Sequence, residues 1–334
     1  MTTSQGNVSS ESTPTSDPAD PHHPLNRHLI KKDVEGALAC EQRKHLNRFG
    51  FLEDSSSKLN LWYETYGNGP KKVVFVVGFI GHLDDYRHTL VELIRTGMFE
   101  VCIFDFPGVG YSEKSRPCFR TSDFAKTVIK LLEHLQWKKT NLFAISLGGM
   151  IGLEMFALRP DLFEAAIFGG TTVGPFIPSL SVMWLFIRIF LSKTQEQVKT
   201  VSKSFVVSDR YFQTYLERYG MTGSNLYDMP TQHIPFSEDI TPPFALIGEA
   251  LSCTTHRVSK SRLRKAKAIC PRVLVLHGTQ DNMIPYKNGV IVAKNLDCSL
   301  VTFNGSGHLI YIENEDDIAR ICLQFFVPDA YQAT

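Results

Sequence analysis

A repeated apolar run restricts the fold of this chain more than any other feature of its sequence. Val73-Val74-Phe75-Val76-Val77, Phe99–Phe104, Asn141–Ile145, Ala165–Phe168 and Val273–Leu276 are short and nearly continuous in apolar residues. That pattern describes strands buried on both faces, since a half-exposed strand would alternate. Stretches of helix length, His82–Thr96, Ser122–Gln136 and Leu147–Leu158, fill the gaps between the first four. Strands and helices in this alternation predict right-handed crossovers and a mostly parallel, doubly wound α/β sheet.

The alternation stops near Gly174 and resumes at Val273, followed by a helix from about Tyr286, a strand over Ser299–Phe303 and a last helix near Tyr311–Phe326. An inserted helical segment between two central strands is expected to sit as a cap above their C-terminal edge, where doubly wound sheets bind ligands. Upstream, Lys58–Tyr66 alternates as a strand and runs into the Gly-Asn-Gly-Pro turn at 67–70, read as a hairpin turn; Asp33–Phe49 has helical spacing. The expected organisation is a disordered tail over 1–30, a helical extension over 31–57, a core over 58–173 and 270–327, and a helical cap over 174–269.

Composition removes several alternatives. The 334 residues include 43% hydrophobic and 21% charged side chains, enough apolar material for a large core. A formal charge of +1 offers no global field for nucleic acid, so no nucleic-acid partner is expected. Seven scattered cysteines form no CxxC pair and read as small hydrophobes in a reducing compartment. The first 25 residues lack a basic segment followed by an apolar one, so the chain is expected to be intracellular and cytoplasmic, not secreted.

Three loop motifs carry chemistry. Ala144-Ile145-Ser146-Leu147-Gly148-Gly149 stands where a buried strand turns into a helix, the context that a G-x-S-x-G nucleophile elbow requires. Ala144 replaces the first glycine, and its small side chain still allows strand and helix to pack around a strained serine. Asp281, in His277-Gly278-Thr279-Gln280-Asp281, lies just past the penultimate strand, and His308, in Gly305-Ser306-Gly307-His308, just past the last. Taken singly, each fits a loop or helix cap equally well. Together they give Ser, Asp, His at three strand ends, the chain order of a serine nucleophile, its orienting acid and its general base.

With Asp105-Phe106-Pro107-Gly108-Val109-Gly110-Tyr111-Ser112, which looks like a D-x-P-G-x-G-x-S segment after the fourth strand, the stretch from about Lys58 to Val327 resembles the α/β-hydrolase superfamily. The elbow is similar to those of esterases, enol-lactonases and cofactor-free haloperoxidase-like enzymes. It lacks the aspartate nucleophile of haloalkane dehalogenases and the Gly-Gly-Ser-Trp elbow of proline iminopeptidases. The resemblance implies an oxyanion hole made by the N–H groups of Phe79 and Leu147, and acyl transfer through Ser146 without metal or organic cofactor. It also exposes a departure: Val77-Gly78 stands where the family usually has His-Gly. The donor is a backbone group and survives that change, while its loss would remove about 3–4 kcal/mol of transition-state stabilisation.

Hydrolysis of a small hydrophobic ester, the lipid-derived ones and lactones included, is the first expectation; peptidase, thioesterase and acyltransferase chemistry remain open. So does a non-catalytic ligand-binding protein, because of Val77 and Ala144. The segment Phe176–Leu191 is apolar, too short to span a bilayer, and interrupted by Pro178 and Arg188. It reads as a cap helix packed on the core, with an acyl-pocket wall or a peripheral membrane contact as alternatives. His256–Lys267 carries six Lys/Arg and no acid, and reads as a solvated helix face or a membrane-binding patch.

Overall fold

The structure, a computed structural model, describes residues 41–54, 59–79, 81, 86–112, 120–217, 219–228 and 243–328. Eight strands form one sheet: β1 (Leu46–Asp54), β2 (Leu59–Tyr66), β3 (Lys71–Val76), β4 (Phe99–Phe104), β5 (Thr140–Ile145), β6 (Phe163–Gly169), β9 (Val273–Gly278) and β10 (Ser299–Phe303). Their order is β1-β2-β4-β3-β5-β6-β9-β10. The last six pair in parallel, whereas β2 is antiparallel to both β1 and β4. Every residue of β4, β5 and β9 is buried, which is why these strands read as continuous apolar runs.

Helices α1 (Arg87–Arg95), α2 (Thr121–His134), α3 (Leu147–Leu158), α10 (Lys287–Leu296), α11 (Ile310–Glu313) and α12 (Glu315–Phe326) connect and cover these strands. The central one, α3, is buried without interruption from Leu147 to Phe156. After β3 the chain steps outward to β4 and then returns to the other side of β3 as β5. The C-terminal ends of β3 and β5 are therefore the switch point where doubly wound sheets place their sites.

Two expectations for the N-terminal part are corrected. Of the segment read as helical, residues 41–44 form a turn of helix and Leu46–Asp54 is β1, whose mostly exposed or half-buried positions suit a strand at the sheet margin; residues 31–40 lie outside the described residues. The turn at 67–70 does not make a hairpin, because β4 lies between β2 and β3. It crosses over the start of β4 instead, with Gly69 and Lys71 donating N–H bonds to Phe99 and Met98. The expected tail over 1–30 lies outside the described residues.

Between β6 and β9 lie α4 (Leu180–Leu191), α5 (Gln195–Val206), α6 (Asp209–Gln213), a ribbon of β7 (Tyr215–Leu216) and β8 (Met221–Thr222), α7 (Gly223–Asp228), α8 (Pro243–Thr255) and α9 (Lys260–Ile269). The basic run 256–267 is largely absorbed by α9. Arg262 pairs with buried Glu154 of α3, while Arg264 and Lys267 donate to the carbonyls of Lys294, Asn295 and Asp297 at the C-terminus of α10. Cations at a helix C-terminus satisfy its unpaired carbonyls and its dipole.

His256, between α8 and α9, is buried and hydrogen-bonds Thr121 Oγ1 of α2 at 2.8 Å. Its burial, with a smaller contribution from Arg262 and against a backbone bond at Thr172, lowers its pKa from 6.5 to about 4. The unfolded chain then binds a proton at this site below pH 6.5 that the folded chain refuses until about pH 4, so stability falls with acidification across that window. Denaturant melts at pH 7 and 4.5 should show a loss about 2–3 kcal/mol larger in the native chain than in His256→Asn. An equal loss in both would assign the acid sensitivity elsewhere.

Candidate active site

The three strand-end loops converge. Ser146 Oγ lies 2.8 Å from His308 Nε2, and His308 Nδ1 lies 2.8 Å from Asp281 Oδ2. Each residue stands beyond the C-terminal end of its strand: Ser146 after β5, Asp281 after β9, His308 after β10.

Ser146 forms the junction between β5 and α3 at φ 58° and ψ −124°. A non-glycine residue at positive φ outside the left-handed helical well costs about 1–3 kcal/mol and persists only where the surroundings over-determine it. Here they do. The Ser146 N–H donates to the Gly169 carbonyl at the end of β6, and its own carbonyl accepts from Thr171 Oγ1 and the Met150 N–H. Close approach of helix to sheet demands small residues. A Cβ at Gly148 would lie 2.1 Å from the Val76 carbonyl oxygen and 2.2 Å from that of Val77. A Cβ at Gly152 would lie 2.7 Å from the Ala144 methyl, so the alanine in the first position of the elbow fits because the helix offers no side chain opposite it.

Asp281 is buried and held on all sides. Its Oδ1 accepts the N–H groups of Met283 and Ile284, and its Oδ2 faces His308 and also His277 Nε2 at 3.2 Å. Burial alone would raise the carboxyl pKa; the His308 charge and the bonds to both histidines outweigh it and lower the value to about 2. The acid is therefore ionised throughout the working pH range. His277 was not singled out by its sequence context. It is fully buried at the end of β9, and its Nε2 donates to the Ile284 carbonyl at 2.8 Å, which fixes the hydrogen on that nitrogen.

The His308 loop is tied to the inserted helices. The Leu309 N–H donates to the Val206 carbonyl at the end of α5. Glu313 accepts from the Gly307 N–H, from the Ser208 N–H and from the Ser208 hydroxyl, and burial keeps its pKa raised despite those bonds. Neither Glu313 nor Ser208 carried a sequence signal, because their meeting spans 105 residues.

On the other side of the serine, Gly78 approaches so closely that a Cβ there would sit 3.3 Å from Ser146 Cβ. Val77 is fully buried in the core, and the Gly78 carbonyl accepts the Gly81 N–H. Apolar packing thus anchors the strand end where the family usually has a histidine. Phe79 directly follows Gly78, the residue that abuts Ser146, and Leu147 occupies the first position of α3, where N–H groups lack intrahelical acceptors. The Phe79 ring meets Phe186 of α4 edge-on at 5.4 Å.

Among the described residues no group of three His, Cys, Asp or Glu side chains is placed to hold a metal ion. A half-buried serine hydrogen-bonded to a buried histidine, itself bonded to a buried aspartate, stands at a doubly wound switch point, the arrangement that nucleophilic catalysis needs.

The family model of the alpha/beta hydrolase fold matches residues 71–315, and the chain belongs to that family. It is similar to an uncharacterized hydrolase, YugF, of Bacillus subtilis, at 26% identity over 80% of this chain and 94% of that protein. It is 25% identical to 2-hydroxy-6-oxononadienedioate/2-hydroxy-6-oxononatrienedioate hydrolase 1 of Pseudomonas putida, over 84% of this chain and 97% of that one. Among solved structures, a thermophilic esterase from Thermogutta terrifontis superposes with a TM-score of 0.66 and 19% identity, covering 82% of this chain and 96% of that one. The protein is a hydrolase of the α/β-hydrolase family.

Gly148→Ala should destabilise the fold by about 1–3 kcal/mol through overpacking, since the intruding atom meets backbone that cannot rotate away. A thermal melt within 1 °C of the native chain, roughly the noise of the measurement against the expected shift, would show that the elbow is looser than this packing implies.

Proposed function

We propose that this protein is a serine carboxylic-ester hydrolase that works through an acyl-enzyme on Ser146. The carrying observation is the unbroken relay from Ser146 Oγ to His308 and on to Asp281, at 2.8 Å for each step. In this reading His308 takes the Ser146 proton as the oxygen attacks an ester carbonyl. Asp281, ionised and triply held, fixes the imidazole tautomer and stabilises the imidazolium that forms. The tetrahedral oxyanion rests on the N–H groups of Phe79 and Leu147. His308 then returns the proton to the departing alcohol, and activates the water that cleaves the acyl-enzyme.

A hydrophobic ester or lactone fits best, because Phe79, the oxyanion donor in this reading, packs with Phe186 against the buried apolar cluster of Leu185, Ile189, Val198 and Leu246. The solved esterase of the same fold is consistent with that chemistry. The alternative of a non-catalytic binding protein rested on Val77 and Ala144. Neither disturbs the relay: the first is replaced by core packing, and the second by the vacancy at Gly152.

A fluorophosphonate probe is expected to label the protein, and Ser146→Ala to abolish the labelling. Asp281→Asn should lower turnover of a p-nitrophenyl ester by ~10⁴-fold while leaving the fold intact. A native chain that never labels would overturn the proposal. Rates across p-nitrophenyl esters of rising chain length, measured beside thioester and aminoacyl substrates, decide among the acyl chemistries; faster thioester cleavage would assign the site to a thioesterase.

A further inference from the structure

Helix α4 is apolar on two sides. Its inner side buries Val182, Leu185 and Ile189, and Leu185 and Ile189 share a cluster with Val198 of α5 and Leu246 of α8. Its outer side exposes Leu180, Met183, Trp184, Ile187, Phe190 and Leu191. The spacing of 180, 183, 184, 187 and 191 is that of one helical face, the pattern of a core-facing stripe turned toward solvent. Leu180 is 81% exposed and Trp184 61%. The neighbouring α8 adds Phe244, Ile247 and Leu251, all exposed. Scattered apolar residues on a surface are ordinary, whereas a stripe this long marks a contact.

Charge specifies the contact. No Asp or Glu occurs from Gly174 to Thr194, while Arg188 and Lys193 are both exposed. The single acid of α8, Glu249, is buried. Solvent-facing helices elsewhere in the molecule carry ion pairs such as Arg95–Glu92 and Lys126–Asp123. An apolar face bordered by cations, with no exposed carboxylate among the described residues of α4 and α8, complements a phospholipid surface, whose headgroups are anionic or zwitterionic over an acyl layer. A second copy of the chain fits less well, because an isologous contact would set two such cation-bordered patches against each other. At twelve residues, α4 is about 18 Å long and falls short of the ~30 Å hydrocarbon core, so it would lie in the interface plane.

We infer that the outer face of α4, flanked by α8, seats the protein on a phospholipid membrane and turns the Ser146 site toward an ester carried by that membrane. The second half of this inference rests on the ester-hydrolase reading; the first half does not. The geometry links the two, since Phe186 on the same helix touches Phe79, the residue after Gly78, which abuts Ser146.

The chain supplies its own reporter. Of its three tryptophans, Trp62 and Trp137 are 3% and 5% exposed, leaving Trp184 at the surface. With vesicles of phosphatidylcholine and phosphatidylglycerol, the full chain is expected to co-float, and its tryptophan emission to shift to shorter wavelength. Pure phosphatidylcholine should bind it more weakly, and added salt should narrow that difference. The double substitution Leu180→Glu with Ile187→Glu should lower vesicle partitioning roughly tenfold or more. It should leave turnover of a soluble short-chain p-nitrophenyl ester unchanged, which also shows that the variant is folded. Trp184→Phe should co-float without the emission shift. Failure of the native chain to co-float, or equal flotation of the double variant, would overturn the inference. So would a concentration-dependent dimer in light scattering that the double variant abolishes, which would assign the face to a second copy. Ser146→Ala is expected to co-float like the native chain, so the membrane seat and the ester reading fail independently.

Discussion

The backbone of Ser146 is the constraint on which the rest of this molecule turns. A serine at φ 58° at the end of β5 is held by the Gly169 carbonyl on one side and Thr171 on the other. Its side chain projects from the sheet edge only because α3 begins at the next residue and packs directly on β3 and β5. That packing explains the glycines at 148 and 152, the tolerance of Ala144 and the near-complete burial of α3. Strain of about 1–3 kcal/mol is sustained by a region whose burial is worth many times more.

A second dependence runs through Asp281. Its carboxylate collects two backbone N–H groups and two histidines, so the loop after β9 is built around a negative charge buried away from water. A buried charge is tolerable only when paired and hydrogen-bonded, and the same bonds that make it tolerable orient His308. Structure and chemistry are here one set of interactions. His277, from the strand itself, meets the same Asp281 oxygen as His308, and its single Nε2 hydrogen also anchors the Ile284 carbonyl.

The inserted helices are joined to the surroundings of Ser146 and His308 at two points. Glu313 and the Val206 carbonyl hold the His308 loop to the α5–α6 junction, and Phe186 reaches Phe79, the residue after Gly78, which abuts Ser146. The inserted helices therefore steady the His308 loop. The apolar outer face of α4 lies on the same element, so whatever that face meets is coupled by packing to the residues around the nucleophile.

The sequence by itself determined the sheet, the position of the elbow and the identity of Ser146, Asp281 and His308 as the residues brought together. Those signals are local: a doubly buried strand needs a continuous apolar run, and a strained strand–helix turn needs small residues around its serine. Tertiary structure decided what depends on distant partners. Leu46–Asp54 became a strand because β2 offered it an edge, against the helical spacing of its neighbourhood. The Gly67–Pro70 turn became a crossover because β4 took the place beside β2. The second histidine on Asp281 and the Glu313 bridge were invisible for a similar reason, since the value of a buried histidine or glutamate lies in what the fold places opposite it. The apolar segment 176–191 shows the division most plainly. Its composition announced a helix, and only the packed cap revealed which of its two apolar sides stays uncovered.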